Sequence, residues 1–156
     1  MKGLRALLGI EKKLEPNIDS ECEQNHLAVT SLFVEVAMVD NDFDVEEQSK
    51  ILKLIESIFS LNQEKAKELL NRAEKEVKDS TQLFPMTTRI KKTFSYEQRV
   101  ELVESLWQVV YADGKMDAYE DQLMRRIGDL ISVSDRDRTL ARKRSLANNQ
   151  NIKSFN

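Results

Sequence analysis

Hydrophobic positions along the 156-residue chain recur with the period of an α-helix. Val29, Leu32, Phe33, Val36 and Ala37 fit the i, i+3, i+4, i+7, i+8 template, which predicts a helix with one buried face ending near Asp40. Ile51, Leu54, Ile55, Ile58 and Phe59 fit the same template. Ala66, Leu69, Leu70 and Ala73 mark one face of a highly charged helix over about 63–78, with Asn62 as its N-cap. Leu102, Leu106, Val109 and Val110 define a further helix, with Val103 and Trp107 alongside on its apolar face. Leu123, Ile127, Leu130 and Ile131 define the next. Ser134 caps a last, basic helix reaching about residue 147. Ser20–Glu23 and Ser95–Gln98 have the form of capping boxes, the first of them after Pro16 closes a short leader. Residues 81–93, around Pro85, fit a short helix or two turns. No segment alternates with the period of two expected of a half-buried strand.

These elements repeat. Val29, Phe33, Val36, Ala37 and Asp40 recur 73 positions later as Leu102, Leu106, Val109, Val110 and Asp113, and Asp44 and Glu47 recur as Asp117 and Glu120. Beyond Glu47 the spacing reads as 72, with Ile51, Ile55, Ile58 and Phe59 falling on Leu123, Ile127, Leu130 and Ile131. The expected architecture is all-α. It is a single-domain bundle of about seven helices with a pseudo-two-fold duplication of a helix–acidic loop–helix unit. A leader helix or linker covers 1–19, the domain 20–147 (first repeat about 20–78, second about 95–147), and a loose polar tail 148–156.

Composition narrows this further. Only six residues are Gly or Pro, against a usual share of about 12%, too few for a β-sandwich or a Gly-rich phosphate loop. The net charge of −3 provides no basic field for nucleic acid, so none is expected as a partner. A single cysteine, Cys22, precludes an internal disulfide and suits a reducing compartment. No apolar run approaches the ~18–20 residues that span a bilayer. The first ten residues lack a signal peptide's uninterrupted apolar core and cleavage site, so a cytoplasmic location is expected. Leu4, Leu7 and Leu8 share a helical face there, which fits a docking helix or a weak contact with a membrane or partner.

The candidate chemistry lies in the two loops. Each reads Asp-x-x-x-Asp-x-x-Glu: Asp40, Asp44 and Glu47 in the first, Asp113, Asp117 and Glu120 in the second. They are not EF-hands. Val45 and Ile51 occupy loop positions 6 and 12 of the first, where Gly and Glu belong, and Lys115 and Met124 occupy positions 3 and 12 of the second. Asp44, Glu47, Asp117 and Glu120 have a structural reading as helix N-terminal acids, with Phe43 and Met116 as staple residues. Asp40 and Asp113 stand at helix C-termini, where the macrodipole disfavours an anion and something must compensate. Oxygen-only ligands suit Ca²⁺ or Mg²⁺, so the six carboxylates are candidate ligands for a divalent cation or contacts for a basic partner.

The run Val109-Val110-Tyr111-Ala112-Asp113-Gly114-Lys115-Met116-Asp117-Ala118-Tyr119-Glu120 resembles the acidic motif of the tellurite-resistance TerB-like family. Val36 to Glu47 resembles it too, with Asn41 in place of Gly. The resemblance covers about 24–140. It implies an all-α, internally duplicated, cytoplasmic bacterial protein of tellurite and general stress resistance. Related domains are fused to J-domain co-chaperones, and no firm enzymatic activity is attached to the domain. Its implied metal or interaction residues fall on Asp40, Asp44, Glu47, Asp113, Asp117 and Glu120. A metal-dependent hydrolase using these carboxylates, and a purely scaffolding domain, remain the alternatives.

Other constellations carry less. Cys22 and His26, at i and i+4, have a spacing that two metal ligands use, but no third Cys or His joins them. His26 is the only histidine, so no second base backs a nucleophilic triad. Arg136, Arg138, Arg142, Lys143 and Arg144 read as a solvated basic face or as a partner contact.

Overall fold

A computed structural model describes residues 16–38, 45–79, 84–111 and 118–154, and these form seven helices with no strand among the described residues. In chain order they are α1 (Pro16–Ala37), α2 (Val45–Phe59), α3 (Gln63–Asp79), α4 (Phe84–Thr93), α5 (Tyr96–Val110), α6 (Ala118–Leu130) and α7 (Asp135–Ser154). The all-α expectation holds, and within the stretch 81–93 the described residues Phe84–Thr93 form a short helix with Pro85 in its first turn, where a missing N–H costs nothing.

Several ends are set by the side chains the sequence singled out. Ser95 and Gln98 form a reciprocal capping box: the Gln98 N–H donates to Ser95 Oγ (3.2 Å) and the Ser95 N–H to Gln98 Oε1 (2.8 Å). Asn62 Oδ1 accepts from the Lys65 N–H at 2.8 Å, and Ser134 Oγ from the Asp137 N–H at 3.2 Å. Two ends differ from expectation. α1 starts at Pro16, so Ser20 lies within the helix and not at its start; proline's fixed φ makes it a good first helical residue. α7 runs on to Ser154, past the expected stop near 147, because no Gly or Pro interrupts it. Of the expected leader 1–19, residues 16–19 belong to α1; residues 1–15, and the turns at Asn41 and Gly114 with staple positions Phe43 and Met116, lie outside the described residues.

Helix bounds recur with the spacing of the sequence repeat. α1 ends at Ala37 and α5 at Val110, α2 begins at Val45 and α6 at Ala118, and α3 begins at Gln63 and α7 at Asp135. The most extensive packing is between α1 and α3 and between α5 and α7, the same pair in each half; α1 also packs on α5, and α4 bridges α1 and α6. The core is continuous and centred on Phe33, Leu32, Ile51, Ile55, Leu102, Leu106, Trp107 and Ile127, all fully buried. The Trp107 ring stacks on Tyr111 (centroids 5.6 Å apart) and lies under the Arg142 guanidinium (5.2 Å).

Burial places the one-residue slip of the repeat later than the hydrophobic pattern does. Met124, not Leu123, is fully buried and stands where Ile51 stands; Ile131 matches Ile58. The spacing of 73 therefore persists almost to the end of α6. It becomes 72 at the helix-terminating residues Ser60 and Ser132, both with φ in the left-handed region (53° and 57°). Behind each serine the next N–H bonds five residues back, Leu61 to the Glu56 carbonyl (3.2 Å) and Val133 to the Gly128 carbonyl (2.8 Å), the 6→1 bond of a Schellman cap.

Candidate functional site

Each acidic loop is entered from one helix and left by another. On the entry side, the Met38 N–H bonds to the Val34 carbonyl at 2.9 Å, and the Tyr111 N–H bonds to the Trp107 carbonyl, so the two preceding helices close alike. Of the six candidate carboxylates, Asp40, Asp44, Asp113 and Asp117 lie outside the described residues. Glu47 and Glu120 are described, each in the first turn of the helix that leaves its loop. That placement fits the macrodipole, which favours an anion there.

Neither glutamate is an ordinary surface acid. Glu120 is 8% exposed and is the one buried carboxylate among the described residues. Glu47 is half-buried, with its Oε2 atom fully enclosed. Burying a carboxylate is costly unless it is paired, and both residues have polar or electrostatic partners. Their neighbours are apolar and exposed: Val45 at 80% and Tyr119 at 73%, the two most exposed large hydrophobic residues described. This pairing of enclosed acid and exposed apolar side chain was not visible in the hydrophobic pattern, which scores both residues as part of a helix start.

The other constellations resolve differently. Cys22 Sγ and His26 Nε2 are 3.4 Å apart, and the imidazole stacks on Phe59 at 4.2 Å between centroids. No group of three or more His, Cys, Asp or Glu among the described residues is placed to hold a metal. The basic run on α7 is only partly solvated. Arg138 is 9% exposed, Arg142 donates to the Tyr111 hydroxyl at 2.6 Å, and Arg144 pairs with Glu104 at 3.1 Å. Arg136 and Lys143 remain exposed. Among the described residues no helix is long and apolar enough to cross a membrane.

Over residues 26–143, from His26 on α1 to Lys143 on α7, the chain matches the family model described as tellurite resistance protein TerB. The chain belongs to that family. The TerB match takes in all six candidate carboxylates and leaves Cys22 outside it. No curated protein and no solved structure matches the chain.

Proposed function

We propose that this TerB-family protein acts in tellurite and stress resistance without catalysis of its own, through an acidic face that takes a divalent cation or a protein partner. The face comprises Asp40, Asp44 and Glu47 of one loop and Asp113, Asp117 and Glu120 of the other. The observation that carries this reading is the matched placement of Glu47 and Glu120, enclosed in the first turns of α2 and α6 at the same point of the repeat. Helix capping alone needs no burial, since a cap carboxylate works at the surface. Oxygen donors of this kind select Ca²⁺ or Mg²⁺.

Calorimetric titration of the wild type with Ca²⁺ and Mg²⁺ tests the cation arm. Binding heat with a rise in melting temperature is expected. Both should vanish when Asp40, Asp44, Asp113 and Asp117 are changed together to Asn, while the far-UV helix signal is retained. Binding that survives the fourfold change removes the acidic face as the site. Absence of heat at millimolar ion removes the cation.

The exposure of Val45 and Tyr119 favours the protein-partner form of the reading, because apolar side chains beside carboxylates suit a basic, amphipathic segment. An amphipathic Lys/Leu peptide is the probe. It should bind with a salt-dependent affinity that falls in both the fourfold Asn variant and a Val45→Ser/Tyr119→Ser variant.

A further inference from the structure

Beside α1 and α3 lies a cavity of about 450 Å³, lined among the described residues by α1, α3 and the turn before α3. Its volume is in the range of small-molecule sites. Cys22 and His26 of α1 line it, and Leu61 and Leu69 supply apolar wall. Its charges come in both signs: Lys65 and Arg72 from α3, and Glu23 from α1 with Glu68 from α3. Such a cavity is complementary to a zwitterion, carboxylate towards the cations and ammonium towards the acids, rather than to a simple anion or cation.

Cys22 makes no disulfide and is partly exposed. Its Sγ is 3.4 Å from His26 Nε2, within the reach at which an imidazole takes a thiol proton. The imidazole is held in turn by its stack on Phe59, nearly parallel at 14°. A nucleophile, a base within reach and a third group fixing the base is the arrangement of an activated thiol. Opening onto a cavity distinguishes it from a buried structural cysteine.

We infer that Cys22 and His26 form a thiol–imidazole pair that accepts a small zwitterionic disulfide in the adjoining cavity and ends as a mixed disulfide on Cys22. His26 takes the thiol proton. The thiolate attacks one sulfur of the incoming disulfide, a new S–S bond forms to Cys22 and the original S–S bond breaks. The departing thiolate recovers the proton from the imidazolium. One thiol and one disulfide are consumed and one of each is produced, so no external oxidant enters. The groups that bear on the thiol's ionisation are His26 and Glu23 on α1 and Lys65, Glu68 and Arg72 on α3, with Phe59 of α2 facing the imidazole.

The test uses the full chain, whose single cysteine makes intact mass an unambiguous readout, with Cys22→Ser as the blank. Cystine is the zwitterionic probe and 2-hydroxyethyl disulfide the uncharged one. The native chain should form the cysteinyl adduct faster than the same chain unfolded in urea, with a pH midpoint below the ~8.5 of an ordinary cysteine. His26→Gln should slow both probes about threefold at neutral pH, the net of more thiolate and lower nucleophilicity. Lys65→Gln/Arg72→Gln should abolish the preference for cystine over the uncharged probe, whatever common slowing both probes show from the loss of two cations near the thiol. A native rate no faster than the unfolded one, or an ordinary pH midpoint, overturns the activated pair. A charge-insensitive preference overturns the role of the cavity.

Discussion

Arg138 lays its side chain over Gly128: a Cβ built on the glycine would approach Arg138 Cδ to 3.1 Å. The corresponding positions in the first half carry Ile55 and Ala66, both fully buried. A large residue on α2 with a small one on α3 is thus exchanged for a small residue on α6 with a large one on α7, a volume-conserving swap within the repeat. The Arg138 guanidinium reaches Asp135 at 3.6 Å, while its stem stays buried.

This exchange is testable by a double-mutant cycle. Gly128→Ile alone overfills the site and should cost about 2–3 kcal/mol. Arg138→Ala alone removes the buried stem and should cost about 1–2 kcal/mol. Together they recreate the first-half pair, and the double variant should be more stable than the sum of the singles by about 1–2 kcal/mol. Urea unfolding monitored by the single tryptophan measures all three. Additive losses would mean that the two positions do not share one packing volume.

Ser60 and Ser132 occupy a conformation that suits glycine. A left-handed L-residue costs about 1–2 kcal/mol, partly returned to the unfolded chain when glycine replaces it. Ser132→Gly should therefore stabilise the protein by about 0.5–1 kcal/mol in the same urea assay, and Ser132→Val should destabilise it. Ser60→Gly should shift stability in the same direction, since Ser60 has the same left-handed φ.

The fold was legible because helix faces announce themselves by spacing, and Ser95, Asn62 and Ser134 cap where their side-chain chemistry says they should. What escaped depends on tertiary context. Periodicity alone does not separate Leu123 from Met124, adjacent apolar residues near one helical face, and packing buries the second. Nor does an arginine in a basic run reveal that a glycine on another helix makes room for its stem, as Gly128 does for Arg138. At the candidate site, the Asp-x-x-x-Asp-x-x-Glu spacing marks Glu47 and Glu120. Their burial and the exposure of Val45 and Tyr119 follow from how the helix starts sit on the bundle. The Cys22–His26 spacing was visible too, but only Phe59 and the α3 wall turn it into a held pair beside a cavity.

The start of α5 is tied to the start of α7 through Tyr96, whose hydroxyl donates to Asp137 Oδ2 at 2.5 Å and lies 3.2 Å from Ser134 Oγ. The Tyr96 hydrogen bond, with help from Ser134, Arg136 and Arg144, holds the Asp137 carboxyl below its usual 3.8. A carboxyl whose folded value is depressed contributes stability that is present above the unfolded value and is lost as pH falls through the folded one. Asp137→Asn should leave a flatter stability profile between about pH 5 and 2, with a small loss at neutral pH that matches the solvent exposure of the pair. Thermal melts across that range check it. A wild-type profile no steeper than the variant's would contradict the linkage.

Glu35 on α1 shows the opposite sign. Burial pushes its carboxyl above the usual 4.5, and the Arg126 charge on α6 only partly opposes this. The folded protein therefore binds the proton more tightly than the unfolded chain. Glu35's contribution is fully favourable below the unfolded value, is lost as pH rises through the folded one, and remains absent at neutral pH. Glu35→Gln keeps the shape and removes the charge, so it should raise the melting temperature at pH 7 and have little effect near pH 4. Arg126→Gln should lower the melting temperature at pH 7 by removing the offsetting charge. In the Glu35→Gln background the same change should cost less, because there is then no half-buried carboxylate for Arg126 to balance. Equal effects of Arg126→Gln in the two backgrounds would show that Glu35 and Arg126 do not sense each other across the α1–α6 packing.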